Sequence, residues 1–77
     1  MSNVKNMTEF EEICKLAIVN ERGVIVLISM PDLFDAEEIH NTAANVPKKL
    51  EYYKQTYGEG LRMKRNMDIS IVGCYIK

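Results

Sequence analysis

His40 is the only imidazole in the chain, so any Ser-His or Cys-His nucleophilic pair would depend on it. Its setting, Glu38-Ile39-His40-Asn41, forms no nucleophile motif, and a surface or rim histidine is the favoured reading. Asp32, Asp35, Glu37, Glu38 and His40 crowd into nine residues. They lack the alternating oxygen ligands and central glycine of a calcium loop and read as a solvated acidic loop. Neither Cys-x-x-Cys nor His-x-x-x-His occurs, so one chain offers no structural zinc site. Gly58-Glu59-Gly60 follows a helical pattern, whereas a phosphate-cradling loop precedes its helix; it reads as a connection. No catalytic residue, metal or cofactor is expected, and the chain reads as a non-enzyme.

Two other groups of residues point to binding. Lys48, Lys49, Lys54, Arg62, Lys64 and Arg65 are interleaved with Tyr52, Tyr53 and Tyr57. Cations for phosphate beside ring faces for bases are what single-stranded nucleic acid requires. Tyr53 and Tyr57 fall on an apolar helical stripe and should pack inward, which leaves Tyr52 as the exposed ring. Lys48, Lys49, Tyr52, Arg62, Lys64 and Arg65 are therefore candidate interaction residues. Leu33 and Phe34, apolar residues inside the acidic loop, are two more, because such a tip can anchor a partner. Folding back onto the core is the alternative for them.

The charge layout bears on both groups. The formal net charge is −1, short of a typical nucleic-acid binder and far from the dense anionic surface of a DNA mimic. Residues 1–45 hold three cations and eight anions, while residues 46–77 hold seven cations and three anions. If the fold keeps these sides apart, self-association is electrostatically favourable.

The elements that must position these residues are few. Seventy-seven residues, 47% apolar and 27% charged, make one small domain over 1–77 with a limited core. No apolar run reaches the roughly 18–20 residues of a membrane span, and Met1 to Asn6 lacks the features of a secretory signal. Cys14 and Cys74 could form one disulfide, but their apolar settings favour buried free thiols and a cytosolic compartment.

Residues 1–7 read as loosely held. Thr8 with Glu11 makes a capping box, and Phe10, Ile13, Cys14 and Ala17 form a stripe, predicting a helix over 8–21 stopped by a left-handed Gly23. Val24-Ile25-Val26-Leu27-Ile28 is an unbroken apolar run within a strand at 23–30, expected to be covered on both faces. With so few helices available, one sheet face could be closed by another subunit. Residues 37–41 read as either an edge strand or part of a helix opened by Asp35 and Glu38. Val46, Leu50, Tyr53 and Tyr57 predict a helix over 47–57, ended by Gly58. Leu61-Arg62-Met63-Lys64-Arg65 alternates like an edge strand, and 68–76 reads as the last strand.

Lys49-Leu50-Glu51-Tyr52-Tyr53-Lys54 with Tyr57, Leu61, Met63 and Lys64, the closing Ile69 to Tyr75 segment and the Gly23 to Pro31 segment together resemble short proteins encoded by tailed phages and prophages of Gram-positive bacteria. That family carries no assigned activity. The resemblance spans roughly residues 23–76 and favours a strand at 37–41, although His40, Glu38 and Pro47 depart from the family's pattern. It implies a phage accessory or host-interaction protein of the bacterial cytoplasm. The expected fold is α+β: a small, mainly antiparallel sheet of about four strands covered by two helices, in the order α-β-β-α-β-β. The expected function is protein binding, with a homo-oligomer and a bacterial host protein as partners. Single-stranded nucleic acid bound through residues 48–65 is the alternative, and no membrane partner is expected.

Overall fold

The computed structural model describes residues 3–77, with helix α1 at Met7–Val19, strand β1 at Val24–Ser29, strand β2 at Glu37–Asn41, helix α2 at Val46–Thr56 and strand β3 at Ser70–Ile76. Asn6, not Thr8, caps α1: its side-chain oxygen accepts from the Glu9 N–H at 2.9 Å, and Glu9 accepts from the Lys5 N–H at 2.9 Å. A capping side chain satisfies an amide that would otherwise be orphaned. Another first-turn amide, that of Met7, donates to the distant Glu59 carbonyl at 2.8 Å. Residues 3–7, expected to be loose, are thereby tied down. Val4 is buried, and Asn3 both donates to the Cys74 carbonyl and accepts from its N–H. The first two residues of the expected loose segment lie outside the described ones.

The end of α1 corrects a second expectation. Glu21 adopts the left-handed conformation at φ 54°, and no glycine has positive φ. The Glu21 N–H donates to Ile18 and the Arg22 N–H to Ala17, the paired bonds of a Schellman stop. Gly23 serves a different need. A Cβ there would collide with the Asn41 backbone carbonyl of the neighbouring strand. Because a backbone atom cannot swing aside, Gly23→Ala is expected to destabilise the protein by about 1–3 kcal/mol. The check is the urea midpoint of the variant; an unchanged midpoint would refute the close approach.

The sheet has three strands, ordered β2-β1-β3, all antiparallel. The expected fourth strand at 61–65 does not form. Leu61 turns at φ 64°, and the segment makes only two isolated bridges, Tyr57 with Met63 and Arg62 with Ser70. Element order is therefore α-β-β-α-β, and the last strand begins at Ser70 rather than 68. Residues 37–41 are a strand, the choice that the resemblance favoured.

Burial along β1 alternates, although its sequence does not. Val24, Val26 and Ile28 are buried in one core with Met7, Phe10, Cys14 and Ala17 of α1, Val46, Leu50 and Tyr53 of α2, and Ile71 and Cys74 of β3. Ile25 and Leu27 lie on the other side, only half-buried. Both helices pack on one face, so within the single chain β1 is fully covered on that side alone, and the second cover expected for it is not supplied by either helix. Cross-strand register then defines the second face. Ile25 stands between His40 and Tyr75, and Leu27 between Glu38 and Gly73. Leu27 lies down over Gly73, where a Cβ would meet its side chain at 2.9 Å, with the Tyr75 ring alongside.

The helices are clamped to each other by aromatic and ionic contacts. Phe10 of α1 meets Tyr53 of α2 edge-on at 5.4 Å between centroids, an arrangement in which a positive ring edge faces a negative ring face. Lys54 donates to Glu11 at 2.9 Å, and Lys15 lies 3.4 Å from the same carboxylate. That pairing lowers the Glu11 carboxyl below its ordinary range and raises Lys54, so one cation of the basic half is spent on the acidic half.

Candidate binding surfaces

The segment after α2 creates the first surface. Tyr57 closes the helix with its N–H on Tyr53, and Lys64 then donates to the Thr56 carbonyl at 3.0 Å. Met63 donates to Ile69 and Ile71 to Leu61, each at 2.8 Å, so residues 57–64 are stitched between the end of α2 and the start of β3. Lys64 and Arg65 are thereby brought back beside Tyr52, Gln55 and Thr56, where they line a groove of about 500 Å³. Next to it lies a pit of about 210 Å³ lined by Ile28, Met30, Glu37, Ile39, Lys49, Tyr52, Tyr53, Tyr57, Met63 and Ile69. Tyr52 and Met63 belong to both concavities.

Among the candidate residues, Tyr52, Lys49, Lys64 and Arg65 come together. Tyr52 is 48% exposed, while Tyr53 and Tyr57 are buried as the helical spacing requires. The Lys49 ammonium sits 4.9 Å from the Tyr52 ring centroid, within cation–π range, and 5.7 Å from that of Tyr53. Lys48 is exposed but lines neither concavity. Arg62 also stands apart, with its guanidinium donating to the Met67 carbonyl at 2.9 Å. Gln55, Thr56 and Met63 of the groove, and Met30, Ile39 and Ile69 of the pit, are lining residues outside the sequence candidates. For Met63 alone there is a local signal, its apolar place in the Leu61-Arg62-Met63-Lys64-Arg65 alternation.

Leu33 and Phe34 do not fold back onto the core. They ride the 30–37 loop, where Leu33 closes a turn onto Met30 at 3.2 Å and Phe34 is 100% exposed. Asp32 and Asp35 beside them take part in no ion pair among the described residues.

The open sheet face is the second surface. Its central side chains are apolar, Ile25 and Leu27, with Tyr75 45% exposed at one side. Across it, the His40 ring lies 3.2 Å from Glu38. The imidazole therefore sits on an exposed strand with a carboxylate as its side-chain neighbour. Both thiols are in the core on the opposite face, buried and not joined in a disulfide. The hydrogen bond with Cys14 and burial push the Cys74 thiol up. No group of three or more His, Cys, Asp or Glu among the described residues is gathered to hold a metal. No helix among the described residues is long and apolar enough to cross a membrane.

These surfaces belong to a small α+β fold with an antiparallel sheet layered on two helices. Comparison with family models, curated proteins and solved structures finds no match to the chain.

Proposed function

We propose that this is a non-enzymatic phage or prophage accessory protein that acts by binding a bacterial host protein, and that it works as a homo-oligomer. The observation that carries this reading is the open sheet face. The central strand of a sheet presents Ile25 and Leu27 there in a row with Tyr75, and neither helix lies over them. An apolar sheet face rimmed by polar side chains, here Glu38 and His40, suits association with another protein. The non-enzymatic part rests on His40, the chain's single histidine, standing on the sheet face opposite both buried thiols. The phage setting rests on the resemblance of residues 23–76.

The test is capture from a nuclease-treated bacterial lysate by the tagged protein, followed by titration of the captured protein. Tyr75→Lys, at an exposed strand position, is expected to leave the thermal melt nearly unchanged and weaken binding about thirtyfold, the scale of an aromatic anchor. Binding indifferent to Tyr75→Lys would remove the open face from the account, and no specific capture would remove the reading. A second reading has its own support in the groove that joins Tyr52 to Lys64 and Arg65. Capture that nuclease abolishes, falls steeply with salt and is lost in Arg62→Ala/Arg65→Ala would favour single-stranded nucleic acid instead.

A further inference from the structure

The 30–37 loop and the pit beside α2 are complementary in three respects. The loop ends in Phe34, an aromatic side chain fully in solvent, while the pit is lined chiefly by apolar side chains, Met30, Ile39, Met63 and Ile69 among them. Methionine adapts its shape readily, so a pit with two of them can close around a ring. The loop is anionic, with Asp32 and Asp35 on either side of the tip and Glu37 and Glu38 at its base. The receiving surface carries more cations than anions: Lys49 and Glu37 on the pit wall, then Lys64 and Arg65 along the adjoining groove, neither of the last two in an ion pair among the described residues. Finally, Met30 and Glu37, the two roots of the loop, themselves line the pit. Projection and recess are therefore neighbours on the surface.

We propose that two copies of this chain pair about a twofold axis, each inserting Phe34 at the tip of its acidic loop into the apolar pit of the other, with the loop's carboxylates beside Lys64 and Arg65 of the adjoining groove. Adjacency of projection and recess is what lets one axis seat both at once, giving a closed pair rather than an open chain. In the single chain Phe34 is in solvent, so the loop does not fill its own pit. The carboxylates of Asp32 and Asp35 beside the ring would meet the cations of the groove, which speeds encounter and sets orientation. This inference rests on the homo-oligomer in the proposed function and names its surface. It leaves the open face of Ile25, Leu27 and Tyr75 free for a different partner.

The chain contains no tryptophan, so Phe34→Trp gives a single reporter at the contact. Its emission, excited selectively, is expected to move to shorter wavelength as protein concentration rises from micromolar towards millimolar, in step with dimer formation in analytical ultracentrifugation. Lys64→Glu/Arg65→Glu in the same background should raise the midpoint concentration by about tenfold or more, since like charges then face each other. Phe34→Ala in the otherwise native chain should raise it comparably. Short-wavelength emission at every concentration would mean that the loop closes its own pit, and would overturn the proposal. Solvent-exposed emission from a chain that still dimerises would overturn it too, leaving the homo-oligomer intact through another face. A chain that stays monomeric throughout would overturn both.

Discussion

Phe10→Ala should lower stability by about 3–5 kcal/mol, the usual range for deleting a buried aromatic ring. The whole of a 77-residue domain's stability is only roughly 4–12 kcal/mol. Phe10 is 0% exposed and is the largest of the fully buried side chains. Its neighbours come from separate elements: Tyr53 meets its ring, and the core around it holds Val24 and Val26 of β1 and Cys74 of β3. Such neighbours cannot close the gap together, because each is fixed by its own helix or ladder, so much of the cavity would persist. At about 4–8 °C per kcal/mol for a domain of this size, the thermal midpoint should fall by at least about 12 °C. Val19→Ala is the control. It removes an apolar side chain that is 78% exposed and should change stability by less than about 0.5 kcal/mol. If the two variants melted together, the helix–sheet packing described for α1 would be wrong.

What the chain announces in advance is mostly what local spacing can encode. A three-and-four spacing alone turns Tyr53 and Tyr57 inward and Tyr52 outward, and α2 with its C-cap residue Tyr57 places them so. Where two local solutions share one spacing, the sequence is silent. Asn6-x-x-Glu9 and Thr8-x-x-Glu11 are equivalent capping patterns, and tertiary contacts choose between them: Met7 is needed in the core, its amide is taken by Glu59, and Glu11 is drawn away to Lys54. Glycine misleads for a similar reason. Gly23 looks like a helix stop, but Glu21 bears the left-handed turn and Gly23 is required by a strand that lies eighteen residues ahead.

The apolar run at 24–28 hid its alternation because both faces of β1 are apolar. Burial alone separates Val24, Val26 and Ile28 from Ile25 and Leu27. The binding surfaces were legible in part for related reasons. Residue type singled out Tyr52, Lys64, Arg65 and Phe34, yet nothing local indicates that Lys64 returns to Thr56 or that Arg62 turns away to Met67. Those placements follow from Leu61. Its side chain is buried while its backbone takes a positive φ, and that turns a would-be strand into a strap joining α2 to β3.

Alkali is expected to unfold this protein through Tyr53. Burial is the main cause that pushes the Tyr53 hydroxyl up from 10 to about 12, against a smaller opposing effect from the polar Asn41 side chain. In the unfolded chain tyrosine titrates near 10. Below about pH 10 both states keep the proton, and the hydroxyl's contribution is fully present. Between about pH 10 and 12 the unfolded state releases a proton that the folded state retains, so stability must fall as pH rises. The fall is about 1.4 kcal/mol per pH unit, roughly 3 kcal/mol across the window. Burial raises Tyr57 as well, and Lys54 is raised by its bond to Glu11, so both act in the same direction. Urea midpoints at a series of pH values measure the slope, and Tyr53→Phe isolates the residue responsible. That variant keeps the ring against Phe10 and removes only the hydroxyl. It should lose about 3 kcal/mol less than the native protein on going from pH 10 to pH 12, so that its stability curve is the shallower of the two in alkali. Parallel curves would show that the Tyr53 hydroxyl is not the group whose burial makes the fold sensitive to base.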